Sequence, residues 1–320
     1  MFRKFFISLT VLLVFMVLAA ADSSAFWLWT PKEKTVVNPK YAVKDTPREQ
    51  WEWAMRFYKD GDFKRAAEEF ERLCNHYPDS DLAPDAQYYA ARAFEEQGKY
   101  LFAFQNYQKT VENYPYTRRM DEILKRQYNI ANIFATKDTA KLMDLELSLS
   151  MERAAEMYGK VVDNSPFGRY AEKSLYNQAE VYRRMRKYGQ AADSYERIIN
   201  DYPESTMVDE AKYQLAYTRY EASLDPEYDQ EGTDEALREF KQISQQTPVP
   251  SIQKEAEKAM AELKNRKAAS TMKVAQFYER QRKYKSAVMY YNLIVKKYPG
   301  TDSAPVAEEK IKVLKKRIKD

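Results

Sequence analysis

The stretch Lys187 to Ser205, KYGQAADSYERIINDYPES, sets the register of the whole chain. In it Ala191 is followed four residues on by an aromatic, Tyr195, and twelve residues on by Pro203. The same triplet recurs as Ala66, Phe70, Pro78; as Ala103, Tyr107, Pro115; as Ala154, Tyr158, Pro166; as Ala236, Phe240, Pro248; and as Ala287, Tyr291, Pro299. Six copies at fixed offsets define a repeat. Each copy reads as a helix that stops at its proline, which lacks an amide hydrogen and pushes the preceding residue out of the helical region. Tyr77-Pro78, Tyr114-Pro115, Tyr202-Pro203 and Tyr298-Pro299 are such stops.

Each copy has an upstream partner. Ala179 stands twelve residues before Ala191 and is followed by Tyr182; Ala54 with Phe57, Ala91 with Phe94 and Ala275 with Tyr278 keep that spacing. In the other two repeats Ala131 (with Phe134) and Ala216 (with Tyr220) lie farther ahead of Ala154 and Ala236, so those repeats carry insertions. The combined pattern resembles the tetratricopeptide repeat (TPR) signature of roughly 34 residues, with alanine replacing the usual small glycine. It implies an all-α, right-handed solenoid of about six helix-turn-helix repeats, helix A then helix B, across residues 46 to 312. Small residues let the two helices approach closely while aromatics fill the gap to the next hairpin, so neighbours share one core and no repeat folds alone.

The chain then divides into 1–25, 26–45 and 46–320, with repeats ending near 78, 115, 166, 203, 248 and 299 before a capping helix. Residues 1–25 combine Arg3 and Lys4, an apolar run from Phe5 to Ala21, and small residues at Ala19-Ala20-Ala21 and Ser23-Ser24-Ala25, as a secretory signal peptide does. Cleavage after Ala21, cleavage after Ala25 and retention as an anchor are all open; each leaves the repeats outside the cytoplasm. Cys74 is the one cysteine, so export brings no intrachain disulfide, and its place in a helix B suits a small buried apolar residue.

Residues 26–45, FWLWTPKEKTVVNPKYAVKD, lack a helical period and read as an extended linker. Phe26, Trp27, Leu28 and Trp29 form an aromatic cluster with two open roles, an anchor on a membrane interface or partner, and a fold-back on the first repeat. Thr46-Pro47-Arg48-Glu49 opens the first helix as a capping box. In the first insertion Met143, Leu145, Leu147 and Leu149 alternate with polar residues like a strand, and the segment either packs along the solenoid edge or extends the following helix. The second, Ser223 to Gly232, sets Asp225, Glu227, Asp229 and Glu231 around Pro226; it lacks the glycine and distal glutamate of a calcium loop and reads as a solvated turn. Ile252 to Gln281 contain no Gly or Pro and predict one continuous helix, and Lys310 to Lys319 a basic helix with Ile311, Leu314 and Ile318 on one stripe.

Composition narrows the function. Lys plus Arg number 52 against 48 Asp plus Glu, and a net charge of +4 argues against a nucleic-acid partner. One histidine (His76), one cysteine and seven scattered glycines supply no zinc site, nucleophilic triad or phosphate loop, so no catalytic residue, metal or cofactor is expected. A binding surface fits better. In a TPR solenoid the residues three before and one after the small residue of helix A point into the groove. Three before stand Trp51, Tyr88, Tyr128, Tyr176, Tyr213 and Met272; one after stand Met55, Arg92, Asn132, Glu180, Tyr217 and Gln276. Tyrosines offer apolar area and a hydrogen-bonding tip suited to extended peptides, although the same ladder also serves to pack helix A on its neighbour.

Signal, linker, hairpins with Tyr-Pro ends, a long penultimate helix and VAQFYERQRKYKSAVMYYNLIVKKYPGTDSA (Val274 to Ala304) together resemble the BamD-type outer-membrane assembly lipoproteins. That resemblance implies a periplasmic scaffold associated with the outer membrane. Its N-terminal repeats would receive unfolded barrel proteins and its C-terminal repeats would hold partner subunits of β-barrel assembly. One departure stands out: where those lipoproteins carry a cysteine, Leu18-Ala19-Ala20 is followed by Ala21, so no lipid anchor is expected there. The alternative is a periplasmic TPR adaptor for cell division, envelope maintenance or secretion.

Overall fold

The structure, a computed structural model, describes residues 28–30, 35–37, 42–136, 147–223 and 230–319. Among them are thirteen helices: α1 (Pro47–Lys59), α2 (Phe63–His76), α3 (Ala83–Glu96), α4 (Tyr100–Asn113), α5 (Met120–Ala135), α6 (Leu147–Asn164), α7 (Ala171–Arg184), α8 (Tyr188–Asp201), α9 (Val208–Ser223), α10 (Gln230–Gln246), α11 (Pro250–Arg280), α12 (Tyr284–Lys297) and α13 (Ser303–Lys319). They fall into two compact units, Met1–Met120 and Asp121–Asp320, and within each unit helices adjacent in sequence pack on one another. The all-α repeat class therefore holds.

The signal segment, Phe26, Trp27, Met143, Leu145 and the acidic run Asp225 to Asp229 lie outside the described residues. Leu28 and Trp29 open a short antiparallel ribbon, β1 (Leu28–Thr30) with β2 (Thr35–Val37), in which Leu28 pairs with Val37 and Trp29 with Val36. That pairing gives residues 28–30 and 35–37 a local order that the lack of helical period does not announce.

The landmark residues are the core. All twelve alanines of the two patterns are at most 2% exposed, and Phe70, Tyr107, Tyr158, Tyr195, Phe240 and Tyr291 at most 1%. Each such aromatic contributes about 4–6 kcal/mol of gross transfer free energy before entropy is counted. At the stops Tyr77, Tyr114, Tyr202 and Tyr298 leave the helical region, φ turning more negative and ψ changing sign, which ends α2, α4, α8 and α12. Three of these tyrosines also reach backward. Tyr77 Oη donates to the Lys44 carbonyl at 2.5 Å, Tyr114 Oη to the Pro78 carbonyl at 3.3 Å and Tyr202 Oη to the Pro166 carbonyl, so one stop is tied to the chain just before the repeat begins.

In the four repeats without insertions the turn from helix A to helix B is one motif. Gly61, Gly98, Arg186 and Arg282 all adopt the left-handed conformation with positive φ. The next amide in each case donates to the carbonyl five residues back, as Lys187 does to Tyr182 at 2.9 Å. Glycine takes that conformation freely; arginine pays the Cβ clash of roughly 1–2 kcal/mol. Glycine also loosens the unfolded chain by about 0.4–1 kcal/mol, so Arg186→Gly and Arg282→Gly are each expected to gain about 0.5–1 kcal/mol net. Thermal unfolding should show the double variant melting about 2–8 °C higher, and a lower Tm would mean that these arginine side chains make contacts worth more than the strain.

Of the four residues read as strand-like in the first insertion, Leu147 and Leu149 lie in α6. Buried Ser150 fixes that first turn by donating to the Phe134 carbonyl at 2.9 Å, so the segment extends the following helix. The α11 helix is unbroken from Pro250 to Arg280. At the ordinary rise per residue it is about 46 Å long. It serves two cores. Ala256, Ala259 and Leu263 pack with Ala216, Ala236 and Phe240, whereas Ala268, Met272 and Ala275 pack with Tyr291, Ile311 and Leu314. A break between those halves would separate the cores it joins. Cys74 is buried in α2, its Sγ 3.5 Å from the Ala83 carbonyl, and burial pushes its thiol up to about 12.

Candidate functional site

The candidate site is the helix-A face of each unit. From Trp51 to Tyr213, the residue three before the small alanine rests in every case on the buried helix-B aromatic of its own repeat. Ring centroids are 5.4 Å apart for Trp51 and Phe70, 5.9 Å for Tyr88 and Tyr107, 6.0 Å for Tyr128 and Tyr158, and 5.7 Å for both Tyr176 with Tyr195 and Tyr213 with Phe240. Such pairs contribute about 0.5–1.5 kcal/mol beyond area burial. The ladder is thus scaffold on one side, and Trp51, Tyr128, Tyr176 and Tyr213 keep part of their surface open on the other.

Tyr88 departs from the expectation. It is 1% exposed, and it belongs to the core rather than to a ligand surface. Tyr89 stands edge-on to it at 5.3 Å, and the Arg119 guanidinium lies over its ring at 4.5 Å. Asp85 holds Arg119 at 2.5 Å and Arg118 at 2.6 Å; burial alone would raise the Asp85 carboxyl, but those two bonds keep it below its ordinary range. Met55 packs into the core of the first repeat, half-buried. Arg92 donates to Tyr88 Oη at 3.4 Å and to Glu96 at 2.7 Å. The neighbour of Tyr88, Tyr89, is half-buried and stands edge-on to Trp51 at 5.5 Å and to Tyr58 at 5.3 Å. Of these two adjacent tyrosines the fixed offset selects the buried one.

In the second unit the positions one after the alanine begin with acceptors. Asn132 Oδ1 receives the Tyr158 hydroxyl at 2.5 Å and Asn177 Nδ2 at 3.1 Å, while Asn177 also donates to Tyr128 Oη at 3.0 Å. Asn132, Tyr158 and Asn177 line a cleft of about 440 Å³ with Thr136, Glu180 and Arg184. Glu180 accepts from the Tyr195 hydroxyl and from Arg183 at 3.0 Å. Arg183 also reaches Glu221 at 3.3 Å and lies over the Tyr217 ring at 5.5 Å. Tyr176 donates to Glu210 at 3.3 Å, and burial followed by the charges of Glu210 and Glu180 drives its phenol above the ordinary value. Tyr213 and Tyr217 lie 6.3 Å apart along α9. Met272 is 9% exposed, and Gln276 is exposed.

A second rule governs the buried helix-B rings. Tyr107, Tyr158, Tyr195 and Tyr291 pass their hydroxyls to Glu95, Asn132, Glu180 and Glu279, one or four residues after the helix-A alanine. Where helix B carries Phe70 or Phe240 instead, those positions hold Met55 and Tyr58, or Tyr217 and Tyr220. A buried hydroxyl needs a partner and a buried phenyl does not, so acceptor and ring type change together. Among the described residues no His, Cys, Asp and Glu side chains gather as they would around a metal ion, and no helix is long and apolar enough to cross a membrane.

Helix hairpins of this kind, stacked with aromatic faces left partly open, define a TPR-type scaffold for protein interaction. A tetratricopeptide repeat family model matches residues 52–116. The model of the YfiO family, described as outer membrane lipoprotein, matches residues 145–315, more than half of the chain, and the chain belongs to that family. Among curated protein sequences none matches. Solved structures with similarity include a tetratricopeptide repeat protein from Parabacteroides merdae, at 16% identity over 84% of this chain and 98% of that one with a TM-score of 0.33. The C-terminal part of a TPR repeat-containing protein from Cytophaga hutchinsonii shows 15% identity over 82% and 88%, with a TM-score of 0.35. At such scores the superpositions add nothing to the hairpin pattern described above.

Proposed function

We propose that this chain is an exported scaffold of outer-membrane β-barrel assembly, working in the periplasm at the outer membrane. Its partners are unfolded outer-membrane protein segments and other assembly subunits, held on the helix-A faces. The observation that carries this reading is membership of the outer-membrane lipoprotein family across residues 145–315. The open aromatic surfaces of Trp51, Tyr128, Tyr176, Tyr213 and Tyr217 support it, being suited to extended segments of mixed sequence. In place of a lipid at a cysteine, the Phe26 to Trp29 cluster or a partner subunit supplies peripheral contact with the membrane.

Crosslinked pull-down from envelopes is expected to recover β-barrel assembly subunits. Recovery of cell-division, cell-wall or secretion proteins alone would establish the adaptor reading instead. At the residue level, Tyr217→Ala should weaken binding of a synthetic barrel-strand peptide about tenfold, the loss of one aromatic anchor, as read by fluorescence anisotropy. Unchanged affinity would remove Tyr217 from the ligand surface.

A further inference from the structure

Two outer positions of helix B set the last repeat apart from the other five. Two and six residues after the helix-B alanine stand Glu68 and Arg72, Gln105 and Lys109, Glu156 and Lys160, Asp193 and Arg197, and Arg238 and Gln242. Every one of them is polar, as a solvated helix face requires. The same two positions of α12 hold Met289 and Leu293, which are 59% and 36% exposed. Neither belongs to the core that Ala287, Tyr291 and Ile294 form on the opposite side of the helix. Lys285, Met289, Leu293 and Lys296 follow one another at helical spacing and share one side of α12, with Lys297 beside them.

Positive charge is concentrated around this stripe. Residues 280–320 contain twelve Lys and Arg against four Asp and Glu, so the remainder of a chain whose net charge is +4 is itself acidic. Helix α12 has no Asp or Glu, and Lys285, Lys296 and Lys297 are exposed. Glu279, near the end of α11, is engaged by the Tyr291 hydroxyl at 2.7 Å and by Lys310 at 3.0 Å. Where the stripe begins, a cleft of about 360 Å³ is lined by Arg282, Lys283, Tyr284, Lys285, Ser286 and Ile318, which gathers three cations around one opening.

We propose that this face of α12 is a docking surface for an anionic phospholipid bilayer. This rests on the reading that the chain works at the outer membrane, and it adds which part of the fold meets lipid. Met289 and Leu293 enter the boundary between headgroups and acyl chains, while the lysines lay their stems along the apolar surface and set their ammonium groups among the phosphates. Attraction of basic side chains to an anionic leaflet falls off within a Debye length, so the contact weakens as salt is raised. A second copy of the chain is a poor occupant, since it would set lysines against lysines. Anchors of protein interfaces are enriched in Trp, Tyr and Arg seated in pockets, whereas this stripe offers two flexible aliphatic chains on the outside of a helix, a shape to which a fluid bilayer conforms.

The test uses the full chain carrying an environment-sensitive fluorophore on Met289→Cys and, as the control, on Asp193→Cys, the same outer position of α8. Cys74 is buried and stays unlabelled. The label reports only its own surroundings, so contact made elsewhere, as by the apolar run Phe5 to Ala21, does not enter the reading. Vesicles are phosphatidylcholine alone, or equal parts of phosphatidylcholine and phosphatidylglycerol. With the anionic vesicles the label at position 289 is expected to shift to the blue at about tenfold lower lipid than with the neutral ones, and added salt should narrow that gap. The label at position 193 should shift with neither. Lys285→Gln with Lys296→Gln and Lys297→Gln should raise the anionic lipid required about tenfold to a hundredfold, and Leu293→Gln about threefold, each with the parental Tm. An equal response to the two vesicles, a shift at position 193 as large as at 289, or a response that survives the triple glutamine variant would overturn the docking surface. A silent label at position 289 would overturn it too; if crosslinked pull-down still recovers assembly subunits, the scaffold reading stands and only the lipid contact falls. A label that responds to those subunits and not to vesicles would make the stripe a protein interface instead.

Discussion

Tyr88→Ala is expected to cost the Met1–Met120 unit about 3–5 kcal/mol, the range for deleting a buried aromatic side chain. The ring is 1% exposed and closed in by Tyr89 at 5.3 Å, Tyr107 at 5.9 Å and the Arg119 guanidinium at 4.5 Å. Removing it leaves a cavity and strips Arg119 of its aromatic platform. Tyr88→Phe loses the 3.4 Å contact from Arg92 to the hydroxyl. With the ring retained, that variant is expected to fall within about 1 kcal/mol of the parent. Tyr176→Ala is the contrast. Tyr176 is half-buried, so its removal should cost less stability and more binding. Urea unfolding followed by circular dichroism reads the stability difference, and peptide anisotropy reads the binding. If Tyr88→Ala unfolded at the parental midpoint and lost peptide affinity, Tyr88 would return to the ligand surface.

The difference between those two tyrosines was not legible in the sequence, and the reason is geometric. Both stand three residues before a helix-A alanine and both rest on a helix-B tyrosine. What closes Tyr88 is Arg119, far along the chain and positioned by Asp85, a contact that no local spacing announces. By contrast the alanine, aromatic, proline triplets were legible because close helix approach, gap filling and helix termination each demand one residue type at one offset. The Val274 to Ala304 segment that carried the resemblance lies inside the stretch matched by the outer-membrane lipoprotein family. The long α11 was foreseen from the lack of Gly and Pro, and its cause, the sharing of two cores, became visible only with Leu263 and Ala268 on opposite sides of the junction. The pairing of hydroxyl acceptors with helix-B tyrosines was present in the sequence all along, since Glu95, Asn132, Glu180 and Glu279 can be aligned against Tyr107, Tyr158, Tyr195 and Tyr291. Finding it requires asking where each buried hydroxyl goes. The left-handed Arg186 and Arg282 were concealed because arginine gives no sign of the positive φ that Gly61 and Gly98 advertise.

That hydroxyl pairing sets the second large effect, a steep loss of stability in alkali. Tyr158, Tyr195 and Tyr291 all lie in the Asp121–Asp320 unit and are at most 1% exposed. Burial is the main cause that drives each phenol above the ordinary value of 10.0; Tyr195 and Tyr291 are raised further by their bonds to the Glu180 and Glu279 carboxylates. The sign follows directly. Above the unfolded value the unfolded chain releases these protons while the folded chain keeps them, so the stabilisation is fully present below about pH 10 and is lost as pH rises through the window above it. Each such tyrosine contributes a slope of about 1.4 kcal/mol per pH unit, and the three together about 4 kcal/mol per unit. The unit is expected to unfold cooperatively in that window, with part of the phenolate absorbance appearing only as the helical circular dichroism disappears. Tyr195→Phe with Tyr291→Phe should start less stable and have a slope smaller by about 3 kcal/mol per pH unit, because two of the late protons are gone. A urea midpoint that stays level between about pH 9 and pH 11 would show that the buried phenols ionise in place. In that event Glu180 and Glu279 would not depend on a neutral hydroxyl to hold them on the helix-A face, and the charge pattern of that face would need another origin.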